Sequence, residues 1–241
     1  MVTAGNLPRS CVQYGHCMMI DPATADWLRD IGKIALGWIL GLGSTSFTEW
    51  HRSRKRRRET KTAVSRELRE TAYRFLVLVY TLEGRSGTFG RPLLEWIRPQ
   101  IEQYAGPNPK DGLLSGVEKL LTETDQDLAR FANHLQTTTP PQFVPRFDVP
   151  YVTGAVPQLH SCEPEYAVRV LDVLAHIQMF NEARENGLHY LRLTFVPGLS
   201  RENHEKAMWN VTEMETQMAR RARIIVDKIT ELEGAFRSRR S

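Results

Sequence analysis

The sequence predicts an all-α protein: an N-terminal single transmembrane helix, then a cytosolic helical bundle with a long proline-rich loop. Three observations carry that expectation. From Ile34 to Thr48 there are 15 positions without a charge, and the run "HRSRKRRRETK" follows almost at once. Beyond it, apolar residues recur every three or four positions, the period of a helix with one buried face. Between Thr137 and Pro164 six prolines interrupt that period, and a continuous helix cannot run through them.

The first twenty residues lack a helical period and are expected to be a disordered tail or an upstream extension, with Met18 and Met19 as alternative starts. They carry no apolar run or cleavage site of a secretory leader. Cys11, His16 and Cys17 lie there at a spacing that fits no zinc site, and the chain's three cysteines are too few to staple a fold. Asp21 and Pro22 then suit an N-cap and a first helical position.

Residues 21–50 form the expected span. Fifteen uncharged positions fall below the ~20 of a full crossing, but Trp27 and Trp50 bracket 24 positions and suit the two interfaces. Ile34, Leu36, Ile39, Leu40, Leu42 and Phe47 contribute about −0.3 to −0.6 kcal/mol each to insertion, roughly −2 to −4 in total. Glycines and hydroxyl residues work against that sum. Gly37 and Gly41 form a G-x-x-x-G pair, a spacing that lets two helices approach closely in a membrane.

Residues 51–61 form a basic collar: Arg52, Arg54, Lys55, Arg56, Arg57, Arg58 and Lys61 against one acid, Glu59. The whole chain carries +4, and this run alone carries +6, so the remainder is −2. Basicity confined to one short run is unlike a nucleic-acid-binding domain, which spreads cations over a face. Placed after an apolar stretch, it predicts a bacterial inner-membrane protein with its N-terminus outside and its C-terminal domain cytoplasmic. In organisation the chain resembles small bacterial anchors with a short N-terminal span, an arginine-rich stop and a cytosolic helical domain.

Residues 62–236 form the expected cytosolic domain. Val64, Leu68, Ala72, Phe75, Leu76, Val79 and Leu82 make a helical stripe, closed by Gly84 and Gly87. Its run from Thr71 to Leu82 is strongly apolar but contains Arg74, which marks a core helix. Continuity with the preceding segment predicts one rod from Pro22 to about Glu83. A helix from Pro92 should kink or split at Pro99. Two more follow, from Asp111 and across 125–136. The stretch 137–164 is read as an extended strap, and Phe143, Phe147 and Tyr151 are candidates for contact with a protein partner. A helix over 163–186 should end at Asn186–Gly187 and be the most buried of all. The last helix runs from about Ser200 to Phe236. Val211, Met214, Met218, Ala222, Ile225, Ile229, Leu232 and Phe236 form a heptad-like seam along it, with Trp209 and Met214 as core fillers. The N-terminal half of that seam is expected to pack within the chain, and the C-terminal end to be partly exposed. Residues 237–241 form a basic tail.

No phosphate-binding loop, dinucleotide fingerprint, zinc-protease motif or nucleophile elbow is present. Asp172 and His176 share a helix face, His160 lies near Cys162, and "RENHEK" places Glu202, His204 and Glu205 at a helix start. Each has an ordinary structural explanation. No catalytic, cofactor or metal residue is assigned, and an enzyme is not expected. The partners expected are a lipid bilayer, further copies of the chain and an unidentified protein; nucleic acid is not. The function expected is a membrane-anchored scaffold or sensor acting through protein contacts and self-association. The alternatives are a membrane-perturbing effector of the toxin or defence type and a soluble basic-arm nucleic-acid binder.

Overall fold

The computed structural model describes residues 22–138 and 144–237. These form seven helices and no strand: α1 Pro22–Ser86, α2 Arg91–Gln103, α3 Asp111–Thr122, α4 Asp125–Thr138, α5 Pro150–Leu159, α6 Pro164–Leu193 and α7 Arg201–Arg237. The chain divides into two compact units at Arg54/Lys55.

The all-α expectation holds, and helix α1 is assigned over Pro22–Ser86. The transmembrane expectation for 21–50 is corrected. No helix among the described residues is long and apolar enough to cross a membrane. Gly32, Gly37, Gly41 and Gly43 contribute little apolar area, and Ser44, Thr45, Ser46 and Thr48 dilute the rest. Ser44 and Thr48 return their hydroxyls to the helix, donating to Gly41 O at 3.0 Å and Ser44 O at 2.7 Å. Such back-bonding lowers the cost of taking a hydroxyl out of water.

The second unit is a helical bundle whose core runs from Val64 to Leu232. At its centre Phe75 of α1 stacks on Phe147 at 4.1 Å, and Phe180 of α6 meets both edge-on at 4.9 and 5.5 Å. Gly87 (φ 72°) lies just past α1, where the left-handed region ends a helix cheaply. Gly84 stays inside α1 against Leu135.

Three expectations about breaks in helices are corrected. Of the kink or split expected at Pro99, the split is absent, and α2 runs through that proline. The carbonyl it frees is that of Glu95, on an exposed face where water can serve it. The 137–164 stretch is not wholly extended, since α5 runs over 150–159 with Pro150 in its first turn and Pro157 near its end. Glu67 of α1 accepts from the N–H groups of Tyr151 (3.2 Å) and Val152 (2.6 Å), capping α5 from another helix. Finally, α6 does not stop at Gly187 but continues to Leu193. Gly187 is buried, and a Cβ added there would lie 3.2 Å from Met214 Cβ, so this glycine permits the close approach of α6 and α7.

Residues 144–149 have no regular secondary structure and are bonded to α6. Asn181 pairs with both backbone groups of Phe147, at 3.1 and 2.8 Å, and Arg184 Nε donates to Val144 O at 2.8 Å. Side chains thus supply what a neighbouring strand would. The α6 helix is also less buried than expected, because Val168, Leu171 and Met179 are exposed.

Helix α7 ties the unit together. Arg69–Glu233, Arg223–Glu83 and Arg85–Glu215 join it to α1 in antiparallel register. Lys228–Asp172 joins it to α6, and Trp96 Nε1 and Gln100 of α2 bond Asp227 and Thr230. The seam Val211, Met218, Ala222, Ile225, Ile229 and Leu232 is buried within the chain, whereas the Phe236 side chain at its C-terminal end lies outside the described ones. Trp209 is no core filler; it is 67% exposed.

Candidate functional site

The segment from Trp27 to Arg58 is chemically unlike the rest. Within the first unit Trp27, Ile34, Leu36, Trp38, Phe47 and Trp50 are all exposed, Trp38 by 69% and Phe47 by 61%. A soluble surface scatters large apolar side chains singly; here six are exposed along one stretch of helix, on more than one of its faces, and that density marks an interaction site. Ile39, Leu40 and Leu42 share that stretch of helix, but their side chains lie outside the described ones. Gly37 and Gly41 leave open space: a Cβ added at either would meet nothing within 4 Å.

The apolar stretch ends in an aromatic cluster. Phe47, Trp50 and His51 lie with ring centroids 4.5–6.1 Å apart, and the Arg54 guanidinium lies 5.3 Å from the Trp50 ring centre. Cation and ring so placed attract each other, and both have apolar bodies with polar tips. Arg52, Arg54, Lys55, Arg56, Arg57 and Arg58 are all exposed. Lys55 faces Glu59 at 3.9 Å, and Lys61 at the end of the collar pairs with Glu163. The collar is therefore an almost uncompensated block of positive charge.

The next turns of α1 behave differently. An open cleft of about 500 Å³ is lined by Arg58, Lys61, Arg66 and Arg69. Lys61 pairs with Glu163, Arg66 with Glu70 and Arg69 with Glu233, so three of these four cations are already answered.

The three candidates for partner contact separate. Phe147 is buried in the aromatic core, Tyr151 is exposed, and Phe143 lies outside the described residues. The catalytic pairs noted in the sequence do not assemble. Asp172 is 3.7 Å from His176 but is engaged by Lys228 at 2.5 Å, which holds its carboxyl below the usual value. Cys162 is buried in the core, while His160 is exposed and its Nδ1 contacts Pro157 O. Arg201–Glu205 and Lys206–Glu202 are surface pairs along α7, and His204 N–H bonds Ser200 O in the first turn. Among the described residues no cluster of three His, Cys, Asp or Glu could hold a metal. Cys11, His16 and Cys17 lie outside them.

In comparisons with known proteins, no family model matches the chain, and neither a curated protein nor a solved structure matches it.

Proposed function

We propose that this protein is a membrane-attached helical scaffold or sensor. Residues 27–58 hold it on an anionic bilayer, and the helical unit beyond works through contacts with partner proteins and further copies of the chain. The observation that carries this reading is the exposed apolar and aromatic stretch that ends in an exposed, almost unpaired cationic collar. Lipid suits both halves at once: acyl chains meet Ile34, Leu36 and Phe47, and anionic headgroups meet Arg52–Arg58.

Magnitudes decide how the two halves share the work. Each cation near an anionic surface contributes about 1 kcal/mol, so the six from Arg52 to Arg58 reach roughly 6. The apolar stretch supplies roughly 2–4 kcal/mol. Neither is large enough to be dispensable, which agrees with a stretch too short and too dilute to cross a membrane unaided. Attachment by two moderate signals is strong where each alone is marginal. The natural setting is the inner leaflet of a bacterial inner membrane, with the second unit in the cytoplasm. The open glycine face at Gly37 and Gly41 favours packing of one copy against another. The exposed Val168, Leu171 and Met179 on α6 offer a surface for a protein partner.

Flotation of the full-length protein with vesicles tests the reading. Vesicles containing phosphatidylglycerol should carry the protein up the gradient, and 1 M salt should reduce recovery by screening the collar. Leu40→Arg interrupts the apolar half of the attachment and should lower recovery, leaving the part that depends on the collar. Exchange of Arg54, Lys55, Arg56, Arg57 and Arg58 for Gln should do the same on anionic vesicles. A reporter fused after Ser241 should be on the cytoplasmic side. Retention on duplex DNA with no vesicle binding would overturn the proposal in favour of a nucleic-acid arm.

A further inference from the structure

On the second unit, α1 and the segment 144–147 flank a cleft of about 450 Å³. Its wall is mostly apolar, with Val77, Leu78 and Phe147 among the lining side chains. Among the described residues its charged lining is of one sign: Arg74, Arg85 and Arg146, with no Asp or Glu. The volume falls in the range of small-molecule sites, where an apolar wall supplies area and a few polar groups fix orientation.

The three arginines differ in how far they are satisfied. Arg146 is exposed and shares Asp148 at 3.0 Å. Arg74 is exposed and makes no ion pair among the described residues. Arg85 is more than nine-tenths buried. Its Nη2 donates to Glu215, but its Nη1 is buried with no hydrogen-bond partner. A guanidinium left half-satisfied in a buried position is costly, and its charge adds to the positive field of the cleft it lines. Burial also pushes the Glu215 carboxyl up against the pull of Arg85, so the counter-charge beside this guanidinium is held reluctantly.

We propose that this cleft binds an anionic amphiphile, a medium-chain carboxylate of the fatty-acid class, with its headgroup among Arg74, Arg85 and Arg146 and its chain along Val77, Leu78 and Phe147. An apolar ligand alone would leave Arg74 unanswered and the cleft's excess of positive charge in place. A small anion alone would leave the apolar wall wet. Neither the apolar stretch at 27–50 nor the collar contributes to this site, so it stands apart from membrane attachment.

The test is photolabelling of the full-length protein by a dodecanoate analogue that carries a chain diazirine, with adducts mapped by mass spectrometry. Adducts are expected on peptides bearing Val77, Leu78 or Phe147. The double substitution Arg74→Glu, Arg146→Glu changes two exposed side chains, so it should keep the melting temperature and lower the yield of these adducts at least tenfold. Any adducts in 27–50 report general lipid uptake and should not change. Excess dodecanoate should compete, while acetate at equal concentration should not. The proposal is overturned if adducts fall only in 27–50, or if the double variant labels the cleft as well as the native protein. It is equally overturned if a dodecylamine analogue with the same diazirine labels the cleft to the same extent, because the arginines would then select nothing.

Discussion

Buried charges set the register between α1 and α7. Glu83, Arg85 and Glu215 are each more than nine-tenths buried. Arg223 reaches Glu83 with Nε at 2.5 Å and Nη2 at 2.6 Å, and stacks over Trp96. Pairs of this kind add little net stability over an apolar alternative, but losing one partner is costly, so they penalise a slipped register. Glu215 also makes the fold sensitive to pH. Its folded pKa is raised above the ordinary 4.5, with burial as the larger influence and Arg85 opposing it. The folded state therefore holds the proton more tightly than the unfolded chain, and stability falls as pH climbs from 4.5 to the folded value, then levels off. Glu215→Gln should remove that descent, which urea midpoints measured between pH 4 and pH 7 would reveal. An identical pH dependence in both proteins would show that Glu215 titrates as in the unfolded chain. Little of this pairing is legible in the sequence, because Arg85 and Glu215 are 130 positions apart. What the sequence does expose is the anomaly of Arg74 inside an apolar run, and that arginine proves to line the cleft. The pair Asp172–His176 is legible and misleading, since spacing reveals a shared face but not that Lys228 has taken the carboxylate.

At the scale of helices, the termini that local chemistry fixes are the ones the sequence predicts well. Asp111 begins α3, Pro164 begins α6, and α7 starts within a residue of Ser200. The errors share one cause: a residue with two uses. Glycine both ends helices and lets them touch, and the sequence around Gly187 does not distinguish the two. Proline both breaks a helix and starts one, so Pro150 opens α5 inside a stretch that its neighbours mark as extended, with a cap from Glu67 that lies 85 positions from Val152. Opposite outcomes at two helical glycines follow. Gly187→Val should destabilise by about 1–3 kcal/mol, because the new side chain overpacks the contact with Met214. Gly154→Ala, on an exposed face of α5 with nothing within 4 Å, should stabilise by about 0.5–1 kcal/mol. Melting curves of the two variants give the signs directly; a neutral Gly187→Val would mean that α6 and α7 part easily there.

For the whole molecule, the heptad-like seam and the glycine pair make separate claims on self-association. A seam of more than three heptads could serve a coiled coil between chains. Here its described members from Val211 to Leu232 face their own chain, and Ile225 and Ile229 are almost fully enclosed. The sequence gives the period but not the partner, because any apolar surface satisfies the seam equally. At Gly37 and Gly41 an added Cβ would meet nothing within 4 Å among the described residues. Substitutions at the two places should therefore fail differently. Ile225→Asp places an unpaired charge in the core and should cost roughly 3–5 kcal/mol, lowering the melting temperature of the full-length protein on vesicles without first changing the size of its assembly. Gly37→Ile combined with Gly41→Ile fills the open face, should leave melting of the second unit unchanged, and should reduce crosslinking between copies in the membrane. If Ile225→Asp dispersed the assembly while melting stayed the same, the seam would be an interface between chains. If the glycine substitutions left crosslinking intact, self-association would have to come from the exposed stripe Val168, Leu171 and Met179 on α6.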